Sequence, residues 1–111
     1  MGYPNGDFFG VQHEPDRNQI NVINNKWNAQ TKTGVRTKSI YTKSGSEYTF
    51  SGTTAFPRNY DATGRPWYKS AMQEVTDIWT DVYIFDTTKK PGLNTAIQLL
   101  RDKKPYSVIS I

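Results

Sequence analysis

Alternation of apolar and polar positions marks short strands along most of the chain, and one helical stripe interrupts them. Pro4-Asn5-Gly6-Asp7 reads as a tight turn, because Asn and Gly accept the positive φ that such turns need. Phe8 to Gln12 follows as a strand, and Ile20 to Ile23 is a second, rich in β-branched residues. The polar stretch from Asn24 to Thr33 reads as a loop, with Trp27 pinned to an apolar surface. Val35 to Thr42 is a third strand, and Ser44-Gly45-Ser46 turns it back into Glu47 to Phe50 as a hairpin. Ser51 to Gly64 reads as loop, punctuated by Gly52, Pro57 and Gly64. Pro66 stands where a helix begins, since its φ is already helical and its missing N–H is not needed there. A helix from Pro66 to about Glu74 places Trp67, Ala71 and Val75 on one stripe, with Tyr68 and Met72 beside it. Strand character returns over Ile78 to Phe85. It resumes after the turn Lys89-Lys90-Pro91-Gly92, over Asn94 to Leu100, and Arg101 to Pro105 then turns into a last strand, Tyr106 to Ile111. The expected fold is α+β, an antiparallel sheet of about five strands with one or more short helices.

A length of 111 residues predicts a single domain. With 35% hydrophobic and 14% aromatic residues, its core must lean on Phe, Tyr and Trp rather than on aliphatic side chains. The net charge of +4 raises nucleic acid or an anionic membrane as partners. Yet lysines and arginines are scattered from Arg17 to Lys104 among acidic residues, which fits a solvated basic surface and no nucleic-acid partner. The absence of cysteine excludes disulfides and thiolate metal sites. No apolar run is long enough to span a bilayer, and no signal peptide is visible. Met1-Gly2 stands close to structured sequence and the last strand runs to Ile111, so truncation at both ends is expected. Enzymatic chemistry finds no support. His13 is the one histidine, read as a surface loop residue, and neither a Gly-x-Ser-x-Gly elbow nor a phosphate loop is present. The carboxylates show no pairing that sequence can place on one face, and no metal or cofactor is expected.

Candidate chemistry concentrates in Tyr60-Asp61-Ala62-Thr63-Gly64-Arg65-Pro66-Trp67-Tyr68-Lys69-Ser70-Ala71. An arginine and two large aromatics stand together at a loop-to-helix junction. Arginine offers a planar fork of donors that matches a carboxylate, and its charge does not titrate away. Amides at a helix start favour an anion in the same place. Trp67 and Tyr68 add apolar walls with polar tips. The composite is a clamp for a small anion. Spacing alone equally allows Arg65 to pair with Asp61 in a structural turn, with Trp67 in the core. A further alternative is a carbohydrate- or nucleic-acid-binding β-module that presents exposed aromatics such as Trp27 and Trp79.

The run Tyr-Asp-x-x-x-Arg-Pro-Trp-Tyr-x-x-Ala, followed by Ile78-Trp79-Thr80-Asp81-Val82-Tyr83, resembles the signature of the double-Cache sensor family. Gly2-Tyr3-Pro4-Asn5-Gly6-Asp7-Phe8-Phe9-Gly10 is similar to the first hairpin of that family. Asn94-Thr95-Ala96-Ile97 and Tyr106 to Ile111 stand where the last two strands of its membrane-distal, PAS-like module would be. The resemblance covers nearly the whole chain. It implies an extracytoplasmic ligand-binding module, on the periplasmic or extracellular side of the membrane. The receptor would be a membrane-anchored histidine kinase, chemoreceptor or nucleotide cyclase, dimeric when full-length. It also implies ligand-binding roles for Arg65 and Trp67 on a carboxylate, for Tyr68 lining the pocket, and for Tyr83 on the next strand. The chain departs from the pattern at Thr63, where a second arginine is frequent, and at Phe85, where amine-recognising members carry an aspartate. Asp86 lies one residue later, on the opposite face of a regular strand, and is a further candidate ligand-binding residue. The implied partner is a small molecule with an anionic group, such as a carboxylate or an amino acid.

Overall fold

The computed structural model describes residues 1–74, 78–80, 83–86 and 89–111. Within them the chain forms two compact units, one of residues 5–61 and one of residues 1–4 with 62–111.

The unit of residues 5–61 is a meander of four antiparallel strands, β1 (Phe8–Glu14), β2 (Gln19–Asn28), β3 (Thr33–Ser44) and β4 (Glu47–Pro57), in that spatial order. Gly6 at φ +93° makes the expected turn before β1. Asn28 accepts from the amides of Gln30 and Thr31 at 3.0 and 3.2 Å, a local turn that reverses the chain into β3. Register places Phe8, Asn25 and Arg36 side by side on one face, with Gly10, Ile23 and Lys38 next along it. That face is buried at Asn21, Ile23, Asn25 and Arg36, so its centre is largely polar. Burying such groups requires that their hydrogen bonds be made. The amide of Asn25 donates to the carbonyls of Tyr60 at 3.3 Å and Arg58 at 3.5 Å, and its oxygen accepts from Arg36 Nε at 3.0 Å. The Arg36 guanidinium lies 5.2 Å from the centre of the Tyr60 ring, which meets Phe8 edge-on at 5.3 Å.

These strands are longer than the sequence pattern suggests. The stretch from Asn24 to Thr33, read as a loop, is strand as far as Asn28, and β3 begins at Thr33. The stretch from Ser51 is strand as far as Pro57, with a bulge at Ser51 between the pairs Ile40–Gly52 and Tyr41–Phe50. His13 belongs to β1 rather than to a loop, although it is exposed as expected.

The unit of residues 1–4 and 62–111 packs the helix α1 (Pro66–Gln73) on a sheet of β5 (Ile78–Trp79), β8 (Thr95–Arg101) and β9 (Lys104–Ser110). Gly2 pairs with Val108 through two 2.8 Å backbone bonds. The short strands β6 (Tyr83–Ile84) and β7 (Pro91–Gly92) form a separate pair. Asp102 and Lys103, at φ +52° and +65°, make the tight turn between β8 and β9. The helix forms where Pro66 predicts it, and Trp67, Tyr68 and Ala71 are its buried residues, packed with Ala62, Ala96 and Val108 in the core of this unit. Val75, expected on its apolar stripe, and the strand positions Asp81 and Val82 lie outside the described residues.

The architecture is α+β, mostly antiparallel sheet with one short helix. The finer expectation of one sheet of about five strands is corrected. Among the described residues there are nine strands in a four-stranded, a three-stranded and a two-stranded sheet. The four strands of the meander are expected ones, only longer. The count rises through the short strands, because Ile78 to Phe85, expected as one strand, holds both β5 and β6, and β7 falls on an expected turn.

A close approach in the meander supplies a test. Any β-carbon at Gly34 would collide with the Arg58 carbonyl and stand 3.0 Å from the Lys26 carbonyl. Gly34→Ala is expected to lower stability by about 2 kcal/mol in urea unfolding. Gly64→Ala, where nothing stands within 4 Å, should stay within about 0.5 kcal/mol of wild type.

Candidate functional site

Arg65 is the N-cap of α1, in extended backbone at φ −82° and ψ 149°, with no side-chain cap bond of its own. The side chain is therefore not spent on closing the helix. It runs along β6 instead: Nη2 stands 3.5 Å from the Ile84 carbonyl, and the guanidinium carbon lies 5.7 Å from the centre of the Tyr83 ring. A cation over an aromatic face is held there electrostatically.

Tyr83 is fixed by a polar chain. Its hydroxyl donates to Asn94 Oδ1, and the Asn94 amide Nδ2 donates to the Ile111 carbonyl at 3.3 Å. The Asn94 backbone N–H donates to Thr80 Oγ1 at 2.8 Å, while the N–H of buried Thr80 donates to the Asn94 carbonyl at 2.8 Å. Burial raises the Tyr83 pKa, and the Arg65 charge acts in the opposite direction. Tyr83 is neutral at physiological pH and keeps its O–H as a donor. Phe85 meets Tyr83 edge-on at 5.2 Å and lies against Gly92, where any larger residue would collide with the ring.

The structure thus brings Arg65 and Tyr83 together. Trp67 and Tyr68 are placed differently. Each is 5% exposed, their rings meet at 5.9 Å, and they stand 2.7 and 3.0 Å from where a β-carbon on Gly2 would be. They form the packed support beneath the helix start. Asp86 is engaged by Lys89 Nζ at 3.5 Å. The helix amides contribute less than the sequence suggests, because the N–H groups of Tyr68 and Lys69 both donate to the Arg65 carbonyl, at 3.1 and 3.0 Å, and Pro66 has none. Asn94 and Thr80 escaped the sequence reading. Asn94 looks there like the first residue of a strand, and nothing local shows that its side chain reaches Tyr83.

Chemically, the arrangement offers a guanidinium fork beside a neutral phenol and an apolar ring. That combination suits a carboxylate attached to a small apolar body. Among the described residues no group of His, Cys, Asp and Glu could hold a metal ion, and no helix is long and apolar enough to cross a membrane.

The raised Tyr83 pKa sets an alkaline dependence. Its contribution to stability is complete below the unfolded-state value near 10.0 and is lost as pH rises through the higher folded value. Tyr83→Phe should flatten the loss of stability in urea unfolding above that pH and leave the neutral-pH profile parallel to wild type. Comparison of the chain with protein-family models, curated proteins and solved structures finds no match.

Proposed function

We propose that this chain is the ligand-sensing, PAS-like module of an extracytoplasmic receptor of the double-Cache type, and that it binds a small molecule through an acidic group. The observation that carries this reading is Arg65, held over Tyr83 at the start of α1. The motif resemblance around Arg65-Pro66-Trp67-Tyr68 supports it, and so does the α+β architecture, mostly antiparallel strand with one short helix among the described residues.

In this reading the ligand carboxylate takes a bidentate bond from the Arg65 fork, and the Tyr83 hydroxyl lies beside it. Trp67 and Tyr68 hold the helix start in place from below. Phe85 turns an aromatic ring toward Tyr83 where an ammonium would need an anion to replace its water. The favoured ligand is accordingly a short carboxylate without a free amine. Binding favours one of two conformations of the receptor, and the shift is relayed by membrane-spanning segments to a kinase, methyl-accepting or cyclase output. The module itself performs no catalysis.

Trp79, 71% exposed, favours the carbohydrate alternative enough for oligosaccharides to belong in the same screen. A thermal-shift panel of short carboxylates, amino acids and oligosaccharides is expected to show stabilisation by a carboxylate, about 2.7 kcal/mol at one hundred times its Kd. Arg65→Ala should remove that stabilisation with the unliganded unfolding curve nearly unchanged. Undiminished stabilisation of the variant would sink the assignment.

A further inference from the structure

Tyr83 has one proton to give. A phenol carries a single O–H donor, and here it goes to Asn94 Oδ1. Asn94 is itself held in two ways. Its main chain exchanges two 2.8 Å bonds with buried Thr80, one to the threonine hydroxyl and one from the threonine N–H. Its side-chain Nδ2 donates to the Ile111 carbonyl at 3.3 Å, which also accepts from the Thr95 N–H at 3.2 Å. The Ile111 bond fixes which way the amide faces. Only the nitrogen can donate to a carbonyl, so the oxygen is the atom turned to Tyr83.

With Arg65 as the carboxylate site, the role on which this step rests, we propose that Asn94 is a ligand-operated latch. An ionised carboxylate takes the Tyr83 proton, the Asn94 amide turns over, and the Ile111 carbonyl loses its side-chain donor. The Arg65 guanidinium lies 5.7 Å from the Tyr83 ring centre, so one small ligand meets both side chains. A carboxylate and an amide oxygen are both acceptors only, and a single proton cannot serve the two. The charged acceptor takes it, because charge-assisted hydrogen bonds are about twice as strong as neutral ones. Asn94 Oδ1 then faces the lone pairs of the phenol oxygen without a donor between them. Half a turn of the amide brings Nδ2 to that oxygen and restores a bond there. The same turn points Oδ1 at the Ile111 carbonyl, acceptor against acceptor. That end bears the loss more easily, since Ile111 is 87% exposed and its carbonyl keeps the Thr95 bond, whereas Tyr83 is half-buried. Thr80 holds the Asn94 backbone in either state, which confines the change to the side chain. The latch sets specificity as well, because a neutral amide or ester competes with Asn94 only as an equal and leaves it closed. Occupancy of the site is thereby passed to the segment after β9.

Calorimetry of propionate binding, paired with nuclear magnetic resonance of the Asn94 Nδ2–H pair and the Ile111 carbonyl carbon, tests the latch. Both signals should move with the calorimetric midpoint, and propionamide should move neither. Tyr83→Phe removes the proton that operates the latch. That variant should still bind propionate through Arg65, about tenfold more weakly for want of one charge-assisted bond. Its Asn94 and Ile111 signals should stay in place throughout the titration. Saturable binding that leaves both signals unmoved in the wild-type chain would overturn the latch and leave the carboxylate site standing. Movement that survives Tyr83→Phe would overturn it too, since the phenol proton would then not be the operator. An absence of saturable propionate binding would remove the carboxylate site and the latch together.

Discussion

The side chain of Asn25 is the constraint around which the meander is organised. It is fully buried in a strand, where an amide with unmet hydrogen bonds would lose on the order of 1–3 kcal/mol. Its position is tolerable because Tyr60 and Arg58 accept from its nitrogen and Arg36 donates to its oxygen. Those bonds do more than satisfy one amide. They bind β2 to β3 in one register, since a slip by a single residue would turn Asn25 and Arg36 to the opposite face. They also carry the segment after β4 back to the sheet, where the Tyr60 ring settles between Phe8 and the Arg36 guanidinium. A chain short of aliphatic residues thereby closes a core with an amide, a guanidinium and two rings.

That solution explains which parts of the fold are legible in the sequence. The helix is, because Pro66 fixes its start and Trp67 and Ala71 share its buried face. The turns at Gly6 and at Asp102-Lys103 are, because Gly6 accepts positive φ and Asp102-Lys103 stand in the charged run just before Pro105. The second half of β2 is not. Strands are recognised by apolar residues on one face, and here the buried positions Asn21 and Asn25 are themselves polar. Nor is the second half of β4, which is exposed on both faces and has no inward side to betray it. Burial by hydrogen bonding and exposure at an edge both erase the period-two signal.

The candidate site shows the same division. Arg65 is read from the sequence as a candidate anion clamp, and the structure places it at the start of α1 beside Tyr83. The roles of its neighbours are not legible there. Sequence spacing puts Trp67 and Tyr68 beside Arg65, but two adjacent helical residues of that size sink into the core under Gly2. The partner that does reach Arg65 is Tyr83, eighteen positions on, positioned through Asn94 and Thr80. Such a relay depends on the pairing of strands distant in sequence and leaves no mark in any short motif.

The proposed carboxylate role of Arg65 is most directly tested by nuclear magnetic resonance of the arginine Nε–H groups during titration with propionate. A saturable shift confined to the Arg65 signal, accompanied by movement of the Tyr83 ring resonances, is the expected result. Shifts that are linear, unsaturated and shared among all the arginines would contradict it.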